Sequence, residues 1–278
     1  MVVGGWKMGD IYYSPILMGG LGNRLFQIAS IYGLSRKHGC KFAIDPKYIA
    51  ANAHTKTDYG RFYRKYLSYT SIEWDRADEP KNAPGKHLVF PRLKNNTIFY
   101  GYFQTAKYFE DYRAEILAMI APTPEEISYI TGRFRPEGAA FIHVRLGDYY
   151  NHPIHHVNLK NYYREAVSIL REQGVCRFIV ITDSPELCRK EYPWMVGDEY
   201  EHVGEITDAP ASSSAELISL FLMKMCSVGG ICANSSFSWW GGWLNENTRK
   251  IITLPGRWFN TDLISSDIYY GGTIKISV

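Results

Sequence analysis

The sequence predicts an α/β protein built on parallel sheets, arranged as two successive units. Three observations predict it. A strand, a glycine-rich turn, a helix and a second strand follow one another over residues 14–44. A longer alternation of strands and helices runs over residues 139–254. Between them, Ala121-Pro122-Thr123-Pro124 reads as a linker. Strands that alternate with helices pair in parallel, because a parallel neighbour needs a long crossover. The expected units are residues 1–125 and 126–278.

In the first unit, Ser14 to Met18 is a short strand and Gly19-Gly20-Leu21-Gly22-Asn23 a glycine-rich turn. Arg24 to His38 follows as a helix, with Leu25, Ile28, Ala29, Tyr32 and Leu34 at helical spacing and Gly39 as its stop. Lys41 to Ile44 is a strand closed by Asp45-Pro46, and residues 50–98 read as irregular. Gly101 to Phe109 leads into a helix ending near Ile120, and Thr123 or Pro124 opens the next. In the second unit, strands are expected at Ala139–Val144, Arg177–Thr182, Val228–Ala233 and Ile251–Leu254. Helices are expected at Asn161–Gln173, Ser214–Cys226 and Phe237–Asn245.

A chain of 278 residues with 46% hydrophobic and 21% charged residues is an ordinary globular protein that needs no staples. A net charge of +3 gives no signal for nucleic acid or a membrane surface. The five cysteines form no CxxC pair, which indicates neither a disulfide framework nor a zinc site. No apolar run approaches the roughly 20 residues of a membrane span, and Met1 to Asp10 lacks a signal-peptide pattern, so a cytoplasmic protein is expected. The 21 Tyr and 7 Trp are open to two readings: core filler, or ring faces for a sugar.

Four segments carry chemistry. Gly20 and Gly22 let backbone approach a ligand at a helix N-terminus, although the third glycine of GxGxxG is missing. His143-Val144-Arg145-Leu146-Gly147-Asp148 ends a strand, with His143 and Arg145 on one face. Arg145 suits a diphosphate, and paired with Asp148 it reads equally as a local ion pair. Asp183, in Thr182-Asp183-Ser184-Pro185, suits a base or ribose hydroxyl, and Asp183 or Ser184 equally suits a helix cap. Asn234, Ser235, Ser236 and Phe237 open a helix, where hydroxyls and N–H groups face an anion or simply cap. The histidines of Asn151 to His156 match no standard metal pattern, and Asp58 is a further candidate base.

These segments, in this order, resemble glycosyltransferase family 11, the α-1,2-fucosyltransferases. The carriers are Gly19 to Gln27, Gly101-Tyr102-Phe103-Gln104, His143 to Tyr149 and Ala233 to Trp243. The resemblance implies a GT-B-like fold of two Rossmann-like domains facing a cleft, the first on the acceptor side and the second binding a GDP-sugar. It implies inverting transfer of fucose from GDP-fucose to the 2-hydroxyl of a galactoside or other glycan, without a metal or other cofactor. His143 would meet the ribose, Arg145 the β-phosphate, Asp183 the guanine, and Ser235, Ser236 and Phe237 the diphosphate. Asn23 would face the transferred sugar or acceptor, and Asp148 and Asn23 stand nearest the chemistry, with no general base assigned. The family often has Arg where Leu146 stands and an acidic residue where Ser184 stands. The rival functions are another donor or acceptor on the same scaffold, a dinucleotide oxidoreductase, which GGLGN disfavours, and a non-catalytic carbohydrate-binding protein.

Overall fold

The computed structural model describes residues 10–50, 59–68, 72–81, 84–263 and 265–278. Asp58 lies outside them. The chain divides into two compact units, Met1–Met119 with Ile264–Ile268, and Ile120–Leu263 with Tyr269–Val278. The return of the 264–268 segment to the first unit has no signal in the sequence.

The first unit holds β1 (Tyr12–Pro15), α1 (Leu21–His38), β2 (Lys41–Phe42), β3 (Asp75–Asp78), β4 (Thr97–Tyr100) and α2 (Arg113–Met119). Its strands form a parallel sheet in the order β2-β1-β4-β3, with Pro15 opposite Phe99 and Asp78 opposite Tyr100. Helix α1 starts three residues earlier than its apolar stripe suggests. It stops at Gly39, whose φ of 64° lets the Gly39 and Cys40 N–H groups bond back to Arg36 and Ser35. The stretch expected to be irregular contains β3 and the start of β4. Strand β3 (DRAD) is polar and mostly exposed, and propensity gives no sign of it.

The second unit holds α3 (Pro124–Phe134), β5 (Ala140–Val144), α4 (Lys160–Glu172), β6 (Phe178–Thr182), α5 (Pro185–Glu191), β7 (Tyr200–His202), α6 (Ala215–Met225), β8 (Gly229–Ile231), α7 (Ser236–Leu244), β9 (Ile251–Pro255) and β10 (Thr273–Ile276). All strands are parallel, in the order β10-β9-β8-β5-β6-β7. Helix α3 opens on a capping box in which Thr123 and Glu126 bond each other's backbone, with Pro124 at the first helical position.

The core of this unit braces the strand ends. Strand β5 is buried along its length, and Ile142 and Val144 pack with Tyr162, Tyr163, Ala166 and Val167 of α4. The Tyr163 hydroxyl donates to the His143 carbonyl at 2.8 Å, and the Tyr162 hydroxyl to the Cys232 carbonyl at 2.7 Å. Burial pushes both phenols far above their ordinary pKa, so they stay protonated donors. Helix α4 thereby fixes the carboxyl ends of β5 and β8 together. Among the described residues no helix is long and apolar enough to cross a membrane.

Candidate active site

In an open parallel sheet, ligands bind outside the carboxyl ends of the strands, where the strand order reverses direction. In the second unit that point lies between β5 and β8. The chain winds from β5 through β6 to β7 on one side, then crosses to β8 on the other. The residues following β5, β6 and β8 are Arg145, Asp183 and the Cys232 to Phe237 segment. Three of the motifs singled out from sequence thus meet at one sheet edge.

Arg145 is the centre of this edge. One guanidinium nitrogen lies 2.9 Å from an Asp183 carboxylate oxygen and another 2.5 Å from Asp148. The guanidinium also lies over the Tyr149 ring, 5.1 Å from its centroid. The register explains the first contact: Val144 pairs with Thr182, so the next residues of the two strands emerge side by side. The other Asp183 oxygen accepts the Leu146 N–H at 2.9 Å. Asp183 therefore orients Arg145 and its loop, and it caps no helix. Ser184 holds the cap position of α5 without a side-chain cap bond. Gly147 makes this possible, since a Cβ there would sit 2.4 Å from the Asp183 carboxylate. Leu146 is buried in the core of the unit. An apolar side chain at that place packs and leaves Arg145 as the cation of the motif.

His143 does not add a second cation beside Arg145. It is 3% exposed, and burial together with the Arg145 charge pushes its pKa down to about 3, so the ring is neutral near pH 7. Its Nδ1 is buried with no hydrogen-bond partner, and its ring lies 5.6 Å from that of Phe237. A neutral imidazole with an unmade bond suits a sugar hydroxyl better than a phosphate.

Asn234 and Ser235 build the site. The Asn234 amide donates to the His155 carbonyl at 3.0 Å and to the Trp258 carbonyl at 2.9 Å, tying two loops to the end of β8. The Ser235 hydroxyl accepts the Phe237 N–H at 3.3 Å and caps α7. The first turn of α7, Ser236 and Phe237 included, has no acidic residue, so the positive end of its dipole is not neutralised from within the helix. The tryptophans of this segment are core. Trp239 and Trp240 are fully buried and Trp243 is 3% exposed, packed on one another at 5.2 to 6.1 Å.

A cavity of about 260 Å³ opens beside Arg145 and Asn234, walled by the 149–160 loop, Glu191 and Tyr192. In that loop Tyr149 stacks on His155 at 4.7 Å, and Lys160 pairs with Glu191 at 2.8 Å. The histidines of this loop, which match no standard metal pattern in sequence, serve the loop itself. His152 Nδ1 accepts the N–H groups of Ile154 and His155, making a local turn. Among the described residues no three His, Cys, Asp or Glu side chains group to hold a metal ion.

The first unit has its own carboxyl edge, with the reversal between β1 and β4. Helix α1 begins there after its N-cap Gly20, with no capping side chain and no acidic residue in its first turn, which contains Gly22. Gly19 has φ of 75°, and a Cβ on it would meet the Asn23 amide at 2.8 Å. The Asn23 Oδ1 accepts from Gln104, which follows β4, at 2.8 Å. Arg24 is buried, donating to the Gly19 carbonyl at 2.9 Å and the Ala50 carbonyl at 2.7 Å, so it serves the loop. Sequence reasoning missed Glu79. This buried carboxylate accepts the Tyr102 N–H at 2.6 Å and the Phe103 N–H at 3.1 Å. It sits in an exposed, polar stretch where one acidic residue resembles the next.

The model of Glycosyl transferase family 11 matches residues 67–270. The chain is 26% identical over 296 residues to the O-antigen biosynthesis glycosyltransferase WbnK of Escherichia coli, covering 87% of this chain and 93% of that protein. It is 26% identical over 294 residues to an alpha-1,2-colitosyltransferase of Escherichia coli, covering 90% and 93%. It is 25% identical over 173 residues to a galactoside 2-alpha-L-fucosyltransferase of Caenorhabditis elegans, covering 55% and 42%. Among solved structures, NodZ alpha-1,6-fucosyltransferase soaked with GDP-fucose matches with a TM-score of 0.52 at 13% identity, covering 84% of this chain and 93% of that one. Fucosyltransferase NodZ from Bradyrhizobium matches with a TM-score of 0.51 at 14% identity, with the same coverages. At such identity the likeness is one of fold.

Proposed function

The chain belongs to glycosyl transferase family 11, and we propose that it moves L-fucose from GDP-fucose to the 2-hydroxyl of a galactoside, with inversion and without a metal ion. One observation carries this: Arg145, held by Asp183, stands at the strand-order reversal beside the N-terminus of α7. That combination offers a fixed guanidinium fork and a helix dipole to one diphosphate.

In the transfer, the acceptor oxygen bonds to the anomeric carbon as the bond from that carbon to the β-phosphate oxygen breaks. The electron pair leaves with GDP, and the acceptor hydroxyl gives up its proton. Negative charge gathers on the diphosphate, where Arg145 and the first-turn N–H groups of α7 meet it. Both are held before the reaction, Arg145 by Asp183 and Tyr149, the helix end by Ser235 and Asn234. His143 offers its unmade bond to the ribose. Asp148 already contacts Arg145 and is about half exposed, so an incoming diphosphate displaces it outward. Asp148 acts here as a placeholder for phosphate, and the group that takes the acceptor proton is not assigned. Asn23, paired with Gln104, belongs to the acceptor side.

A second donor is favoured by one observation. The colitosyltransferase aligns with 90% of this chain, the galactoside fucosyltransferase with 55%. The test is GDP release from GDP-fucose and from colitose activated in the same way, with and without lactose, in excess EDTA. Lactose-dependent release from GDP-fucose that survives EDTA is the expected result. Release from the colitose donor alone transfers the assignment to colitose, and loss in EDTA contradicts the metal-free mechanism.

A further inference from the structure

The turn Gly101-Tyr102-Phe103-Gln104, at the end of β4, is fixed from every side. Phe103 has φ of 50°, a conformation that costs a bulky L residue energy and persists only where its surroundings enforce it. Its ring is fully buried against Phe99, Phe90 and Tyr108. Gly101 has φ of 158°, and a Cβ on it would lie 2.4 Å from the Glu79 Cβ. The backbone groups of the turn are bonded in detail. The Gly101 carbonyl accepts from Gln27 at 3.1 Å and the Phe103 carbonyl from Ser30 at 2.9 Å. The Tyr102 and Phe103 N–H groups donate to one oxygen of Glu79, whose other oxygen is buried without a partner.

This brace presents one residue outward. Tyr102 is 37% exposed, and among the described residues it is the one aromatic side chain that is exposed. The other described aromatic side chains are buried or half-buried. An exposed ring on a strained, braced turn, next to the neutral Asn23–Gln104 amide pair, is a surface suited to a sugar. C–H groups of a pyranose lie on the ring face, and the phenol and nearby amides meet its hydroxyls.

We propose that Tyr102 is the stacking platform for the acceptor saccharide, and that Glu79 is a positioning residue that aims it. This rests on the transferase function proposed above and adds a specific acceptor contact to it. The cavity beside Arg145 is not involved, so donor and acceptor functions separate experimentally.

The test uses the full chain and lactose as probe, read two ways. Saturation-transfer NMR reports lactose binding directly, and lactose KM is measured with GDP-fucose. Calorimetry of GDP runs in parallel. Tyr102→Ala is expected to lose most of the saturation transfer and to raise lactose KM by about tenfold, with GDP affinity within about twofold of the parent. Tyr102→Phe keeps the ring and is expected to stay within about threefold in KM. Tyr102→Ala with undiminished lactose binding overturns the proposal, and so does a parent protein that gives lactose no saturation transfer. A parent protein that binds lactose through Tyr102 but fails to bind GDP overturns the donor assignment and leaves this one standing. Glu79→Gln is expected to raise lactose KM with little change in kcat. An equal fall in kcat instead contradicts a positioning role.

Discussion

The two sheet edges of this protein are built alike and furnished oppositely. Each lies at the carboxyl ends of parallel strands, at the reversal of strand order, beside a helix whose first turn lacks an acidic residue. The edge in the second unit is a charge constellation, one guanidinium held between two carboxylates. The edge in the first unit brings amides, strained backbone and one exposed ring together over a buried carboxylate. The difference is what the proposed division between donor and acceptor rests on. A fixed cation is the chemistry of a diphosphate, and a rigid neutral surface is the chemistry of a sugar.

The sharpest way to break this contrast is Arg145→Ala. It should lower turnover on the order of a hundredfold or more while leaving the fold intact, measured as GDP release beside a thermal melt. Lysine at 145 should recover only part of this, because a point charge does not replace a bidentate fork. An Arg145→Ala variant with full turnover would remove the second unit from the chemistry.

A matched pair of glycine substitutions comes next. Gly147→Ala pushes a methyl within 2.4 Å of the Asp183 carboxylate, and Gly101→Ala within 2.4 Å of the Glu79 Cβ. The first should weaken GDP binding by about tenfold, since Arg145 loses its support. The second should cost about 2 kcal/mol of stability in urea unfolding, with GDP affinity unchanged. Similar effects of both on GDP binding would erase the division of labour.

The two edges should also respond oppositely to pH. His143 titrates near pH 6.5 when unfolded and is pushed down to about 3 when folded. Its stabilising contribution is complete above about pH 6.5 and is lost as pH falls toward 3. Glu79 is raised above its ordinary 4.5 by burial, against the pull of the N–H groups it accepts. Its contribution is complete below about pH 4.5 and is lost as pH rises through the folded value. Urea midpoints of His143→Gln and Glu79→Gln against the parent, followed from pH 4 to pH 8, should diverge in opposite directions.

The smallest expected effect is at Asp148. Asp148→Asn removes a competitor for Arg145, so GDP should bind equally well or slightly more tightly, and turnover should change by less than about tenfold. A collapse in turnover with GDP binding intact would instead make Asp148 the base.

Much of the second unit was legible in sequence because its signals are local. Strands β5 and β6 are apolar runs bounded by turns, and Thr123-Pro124 with Glu126 writes a capping box within four residues. Arg145, Asp183 and Asn234 were legible as chemistry, but not as partners. That Asp183 grips Arg145 depends on the β5–β6 register, and that Asn234 ties down two loops depends on where those loops end. The first unit was less legible. Strand β3 is polar, β4 begins in a stretch that reads as loop, and Glu79 meets Tyr102 across 23 residues. The aromatic content left core filler and a sugar surface both open; the rings of Trp239, Trp240 and Trp243 pack the core, and among the described residues the exposed ring is Tyr102. Composition counts aromatics, and only the fold decides which faces water.

The most direct measurement is a calorimetric titration of GDP into the parent protein and into Arg145→Ala, in excess EDTA. Saturable one-site binding by the parent, weakened at least about a hundredfold in Arg145→Ala, is the predicted result. Equal binding by both proteins, or no binding by the parent, would contradict a diphosphate site at Arg145.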